Sequence, residues 1–112
     1  MKFFYKSSCT TCRNAKKYLK DRGATVTERD MTKSPLRLEE IDALIGKRDY
    51  IPFLNTRNAL YREKNFKENP PTRKQALEWM AKEPNLIKRP LLVDGARIVF
   101  GFDAKAYKSI LS

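Results

Sequence analysis

The sequence predicts an α/β domain in which a small mixed sheet carries helices, and three observations predict it. An apolar run, Phe3-Phe4-Tyr5, passes into a helical pattern with Cys12, Ala15 and Leu19 on one face and Tyr18 beside them. Leu91-Leu92-Val93 and Arg97-Ile98-Val99-Phe100 flank an Asp94-Gly95 turn signal and read as a hairpin. A closing helix follows, capped by Asp103, with Ala106, Tyr107, Ile110 and Leu111 apolar. The layout is a β-α-β unit, a helical segment and a β-β-α unit.

In order, residues 2–5 form the first strand and Thr10 to Asp21 the first helix, which Gly23 stops. Thr25 to Arg29 alternates and is β-prone, so it reads as a second strand. Strand, helix, strand implies a right-handed crossover with parallel pairing. Ser34 offers an N-cap with Pro35 at the first helical position, opening a helix with Leu38, Ile41, Leu44 and Ile45 that ends at Gly46. Lys47 to Arg57 is irregular, and Asn58 to Lys64 gives one or two turns capped by Thr56 or Asn58. After the breaker Asn69-Pro70-Pro71, Thr72 and Gln75 form a capping box for a helix to about Lys82 that buries Ala76, Leu77 and Met80. Trp79, Phe100, Phe102 and Tyr107 read as core. No internal repeat or low-complexity segment occurs.

A chain of 112 residues, 41% hydrophobic and 11% aromatic, has enough apolar side chains for one domain with its own core. Two cysteines cannot build a disulfide framework, the N-terminal apolar run is too short for a signal peptide, and no stretch approaches membrane-spanning length. The expected location is the cytoplasm, with no membrane partner. The net charge of +11 favours an acidic partner, whether nucleic acid, an anionic substrate or an acidic protein face. Lys and Arg are spread through nearly every segment without a run of five, which equally describes a solvated basic surface. No direct sequence-specific DNA binding is expected, and a monomer is.

The chemistry centres on Ser8-Cys9-Thr10-Thr11-Cys12-Arg13, which holds both cysteines at C-x-x-C spacing where a strand hands over to a helix. In an intracellular protein that placement reads as a thioredoxin-like redox site. Cys9 falls at the helix N-terminus, where unpaired N–H groups favour a thiolate, the nucleophilic form. Arg13, Lys16, Lys17 and Lys20 add positive potential. Cys9 is therefore the expected attacker, and Cys12, one turn in and on the apolar face, the resolving thiol. Without histidine or further cysteine, the chain lacks the usual ligands for zinc, and no metal is expected. Arg57 is either a residue of a capped turn or an oxyanion donor. Arg89 alone would be a surface charge, and Pro90 a strand-start proline.

Together these residues resemble the arsenate reductase (ArsC)/Spx family. The elements that match are the C-x-x-C segment, Leu54-Asn55-Thr56-Arg57, Ile87-Lys88-Arg89-Pro90 and Val99-Phe100-Gly101-Phe102 before a helix. The resemblance implies a thioredoxin-like core at about 1–33 and 84–112, with a helical insertion at about 34–83. It implies that Pro90 is cis and faces the cysteines, and that Arg89 lies near Cys9. Arg13, Arg57 and Arg89 would then stabilise a thiolate or a bound anion. No cofactor is implied; glutathione, a thioredoxin or a glutaredoxin would supply electrons, and the partner would be such a thiol reductant or a small anionic substrate. The arsenate reductases of the family carry a further arginine where this chain has Val99 to Phe102, a departure that points away from arsenate. The Spx-like branch implies the other role, a redox switch that binds the C-terminal domain of the RNA polymerase α subunit.

Overall fold

The computed structural model describes residues 1–112. Four strands, β1 (Lys2–Tyr5), β2 (Thr27–Asp30), β3 (Leu91–Asp94) and β4 (Arg97–Phe100), make one mixed sheet in the order β2-β1-β3-β4. Five helices accompany them: α1 (Thr10–Asp21), α2 (Leu38–Ile45), α3 (Ala59–Glu63), α4 (Arg73–Lys82) and α5 (Ala104–Leu111). The chain divides into two compact units, one made of Met1–Ser34 with Arg89–Ser112, the other of Pro35–Lys88.

The first unit is a thioredoxin-like β-α-β…β-β-α arrangement. β1 pairs with β2 in parallel and with β3 antiparallel, and β3 pairs with β4 antiparallel. The register sets Phe3 opposite Leu92 on one face. Ala15 and Leu19 of α1 and Tyr107 and Ile110 of α5 cover that face and complete a core in which all six side chains are buried. Phe4 and Leu91, one residue along each strand, point to the opposite face, as the period of two requires. Three rings tie α1 to α5: Tyr18, Phe102 and Tyr107 meet edge to face at 5.0–6.0 Å, and the Tyr18 hydroxyl donates to the Ala104 carbonyl at 3.3 Å. Asp103 caps α5 by accepting from the N–H groups of Lys105 and Ala106.

In the second unit, α2 and α4 pack together through Ile41 and Ile45 on one side and Ala76, Leu77 and Met80 on the other. The Thr72–Gln75 capping box closes in both directions. Asn58, rather than Thr56, caps α3 by accepting from the Leu60 N–H at 2.8 Å. The irregular stretch contains one 3-10 turn, Ile51–Phe53.

Several expectations are corrected. The second strand starts and ends later than the alternation of Thr25 to Arg29 predicts, because pairing with β1 selects Thr27–Asp30. α2 starts at Leu38, not at Pro35: the Ser34 carbonyl, which would have to accept the first helical N–H, accepts instead from the Arg29 guanidinium at 3.0 Å, and Glu40 accepts the Arg37 N–H at 3.0 Å, providing the cap three residues on. In the hairpin, Asp94 pairs with Arg97 inside the ladder, so the two-residue loop is Gly95-Ala96. Gly95 takes the positive φ of +58° that the first loop position requires. Trp79, Phe100 and Phe102 are half-buried rather than core; Trp79 lies beneath the ammonium groups of Lys64 and Lys82, 5.2 and 5.6 Å from its centroid.

Candidate active site

The site is built where β1 ends and α1 begins. The Cys9 N–H donates to the Lys6 carbonyl at 3.0 Å, and the Cys9 carbonyl accepts from the Arg13 N–H at 3.0 Å. These two bonds make Cys9 the N-cap residue, with extended backbone angles of φ −85° and ψ 122°. No oxygen side chain caps α1. The Cys9 sulfur stands in that place, half-buried, without a capping hydrogen bond. Cys12 sits one turn further along and is fully buried. Both are free thiols.

The two sulfurs differ in their surroundings and so in acidity. Burial works against the Cys9 thiolate. The Cys12 N–H, the Cys12 thiol and the hydrogen bond and charge of the Arg89 guanidinium outweigh it, holding the Cys9 pKa below the ordinary thiol value. Burial pushes the Cys12 thiol up to about 12, and its contact with Cys9 adds to the shift, against the opposing effects of the Lys6 backbone and Arg89. Proximity of two thiols of opposed acidity suits nucleophilic attack by one and delayed attack by the other.

Arg89 is half-buried immediately before β3. Its neighbour Pro90 is fully buried, the bond between them is cis, and the Pro90 carbonyl accepts from the Gly101 N–H at 2.8 Å. Cys9, Cys12 and Arg89 thus come together in the first unit, with Pro90 next to Arg89 in the chain. Arg13 does not join them: it is exposed, and its guanidinium turns to the Thr10 hydroxyl at 3.3 Å. Arg57 belongs to the second unit, exposed, its N–H donating to Asn55 Oδ1 at 3.1 Å. No three Cys, Asp or Glu side chains converge to hold a metal ion.

Two further residues enter the site. Asp30, at the end of β2 opposite Tyr5, accepts from the Thr32 N–H at 2.9 Å; that bond, with the Ser7 hydroxyl and against burial, keeps its carboxyl below the usual range. Asp30 therefore holds the turn that leaves β2. The Asp-x-Thr spacing at Asp30 is the sequence signal for such a local turn. Tyr107 is fully buried and raised in pKa by burial and by the nearby Cys12, and its hydroxyl donates to the Gly101 carbonyl at 3.3 Å. Nothing in the helical pattern distinguishes it from an ordinary core tyrosine.

Comparison with known proteins places this geometry in context. The ArsC family profile matches residues 4–110. The uncharacterized protein YusI of Bacillus subtilis (strain 168) is 38% identical over 104 residues, covering 89% of this chain and 88% of that protein. The global transcriptional regulator Spx of Enterococcus faecalis is 28% identical over 109 residues, covering 93% and 80%. Among solved structures, an ArsC family related protein from Bacteroides fragilis superposes with a TM-score of 0.81 at 26% identity, covering 97% and 95%. No helix is long and apolar enough to cross a membrane.

Proposed function

The chain belongs to the ArsC family, and from that premise we propose that it is a thiol–disulfide redox protein in which Cys9 attacks and Cys12 resolves. The observation that carries this reading is the Cys9 sulfur at the start of α1, faced by the Cys12 N–H and the Arg89 guanidinium. The Cys9 thiolate attacks one sulfur of a substrate disulfide, forming a mixed disulfide and expelling the other sulfur as a thiolate. That step removes the negative charge on Cys9, one of the causes that raise Cys12. Cys12 then gives up its proton and attacks the Cys9 sulfur, forming the Cys9–Cys12 disulfide and releasing the second substrate thiolate. Two electrons pass to the substrate, and a thiol donor such as glutathione, thioredoxin or glutaredoxin returns them. With Arg89 as the arginine beside Cys9, the site is poorly equipped to desolvate arsenate.

Trapping tests the reading. Cys12→Ser should accumulate a mixed disulfide with oxidised glutathione that Cys9→Ser does not form. If both variants, or neither, form it, the assignment of roles fails.

The likeness to regulators named Spx supports a second reading, in which the same disulfide is a switch and the partner is the C-terminal domain of the RNA polymerase α subunit. Capture of that domain by the reduced and the oxidised chain separates the two. Binding that depends on redox state favours the regulator; turnover of disulfides without binding favours the enzyme.

A further inference from the structure

The Lys and Arg residues that look evenly spread along the sequence are unevenly shared between the units. Residues 1–34 and 89–112 hold 13 Lys and Arg against 5 Asp and Glu, a net charge of +8; residues 35–88 hold 11 against 8, a net +3. Every acid of the first unit is already engaged. Asp21 pairs with Lys17 at 2.7 Å, Glu28 with Lys16 at 2.8 Å and Asp94 with Arg97 at 3.1 Å. Asp103 caps α5, and Asp30 holds the Thr32 N–H.

Five cations of α1, its C-cap and α5 are left without an acidic partner. Lys20, Lys105 and Lys108 are exposed. Arg13 reaches only the Thr10 hydroxyl, and Arg22 lies 4.4 Å above the Tyr18 ring. α1 and α5 cover the same face of the sheet through Ala15, Leu19, Tyr107 and Ile110, so the exposed cations of both helices lie on that side of the first unit.

We propose that the α1–α5 surface binds the phosphate backbone of nucleic acid without reading its sequence. An acidic protein face would also answer the charge, but stable protein interfaces are centred on buried apolar or aromatic anchors. The two large hydrophobic side chains most exposed to solvent, Leu38 and Ile51, both lie in the other unit. α1 and α5 themselves expose charged, hydroxyl, amide and alanine side chains. A chain of phosphates needs no anchor: neutralising it releases condensed counterions, and that release supplies the free energy. The inference rests on charge and packing, not on the thiols, and stands or falls apart from the redox reading.

The test is fluorescence anisotropy of the full chain with two labelled duplexes of roughly 20 bp and unrelated sequence, from about 50 to about 200 mM salt. Expected are equal affinities for the two, with Kd of about 10⁻⁴ to 10⁻⁶ M, and a slope of log K against log salt of about −4 for four to five neutralised phosphates. Lys20→Glu with Lys105→Glu and Lys108→Glu should weaken binding at least tenfold. Glutamines at the same three positions should weaken it less, in the same direction. Lys47→Glu with Lys67→Glu and Lys74→Glu makes the same change in net charge in the second unit and should leave most of the affinity. Equal losses in the two glutamate triples would overturn the proposal, as would absence of binding at the lowest salt. So would displacement of the duplex by polyglutamate as readily as by unlabelled DNA of equal charge, which would assign the surface to an acidic protein.

Discussion

Replacing Arg89 with alanine removes one of three groups that oppose burial at the Cys9 sulfur, and leaves the Cys12 N–H and thiol in place. Arg89 acts there both by donating a hydrogen bond and through its charge. A hydrogen bond to a charged group contributes about 1.5–3 kcal/mol. Cys9 is half-exposed, so water screens the pair and the lower end of that range applies. At about 1.4 kcal/mol per unit, Arg89→Ala should raise the Cys9 pKa by about one unit. The reduced thiolate loses stabilisation, so the disulfide forms more easily and the reduction potential falls by about 30 mV. Thiolate absorbance across a pH titration, checked by the rate of alkylation, reads the first quantity; equilibration against a glutathione buffer reads the second. A shift below about a third of a unit, with the potential unmoved, would mean that Arg89 is a surface charge and that α1 and Cys12 alone set the acidity of Cys9.

Cys12 carries a pH dependence of the opposite kind. Its folded pKa, raised to about 12, means that the folded chain holds this proton more tightly than the unfolded chain. The reduced protein should keep its stability below the unfolded thiol value of about 8.5 and lose it progressively as the pH rises towards the folded one. Denaturant midpoints at a series of alkaline pH values should fall less steeply for Cys12→Ala than for the parent, and parallel slopes would refute the assignment. Asp103→Ala deletes the acceptor of two N–H groups at the start of α5 and should cost about 1 kcal/mol by denaturant titration, whereas Asp103→Asn should retain most of it.

Periodicity made the elements of the first unit legible, because Phe3, Ala15, Leu19 and Tyr107 are apolar at the spacings their elements demand. The Thr72–Gln75 box was legible for a local reason: both partners lie within one turn. Where two candidate helix starts compete within a few residues, the residue types alone did not choose between them. Ser34 and Pro35 have the chemistry of a helix start, yet the Ser34 carbonyl goes to the Arg29 guanidinium, and Glu40, accepting from the Arg37 N–H, decides where α2 begins. In the site, helix position alone identified Cys9 and Cys12 as unequal. The approach of Arg89 was implied only by resemblance, since its sequence neighbours do not distinguish it from other surface arginines. Asp30 escaped notice because its Asp-x-Thr turn is local and common, and the sequence did not fix the direction of the Arg13 guanidinium, which reaches the Thr10 hydroxyl.

The first unit is assembled from two stretches of chain that residues 35–88 interrupt, and this bears on the order in which the protein can fold. β1 finds β2 across a short crossover, but its pairing with β3 has to close a far longer loop. Loop-closure entropy grows only by about 0.6 kcal/mol per doubling of length, so the interruption weighs little on final stability and much more on the speed of assembly. The second unit is continuous and gathers its own core from neighbouring helices, so it can consolidate early and shorten the effective loop. The Arg89–Cys9 pairing, which depends on β3 arriving beside β1, belongs among the last events of folding.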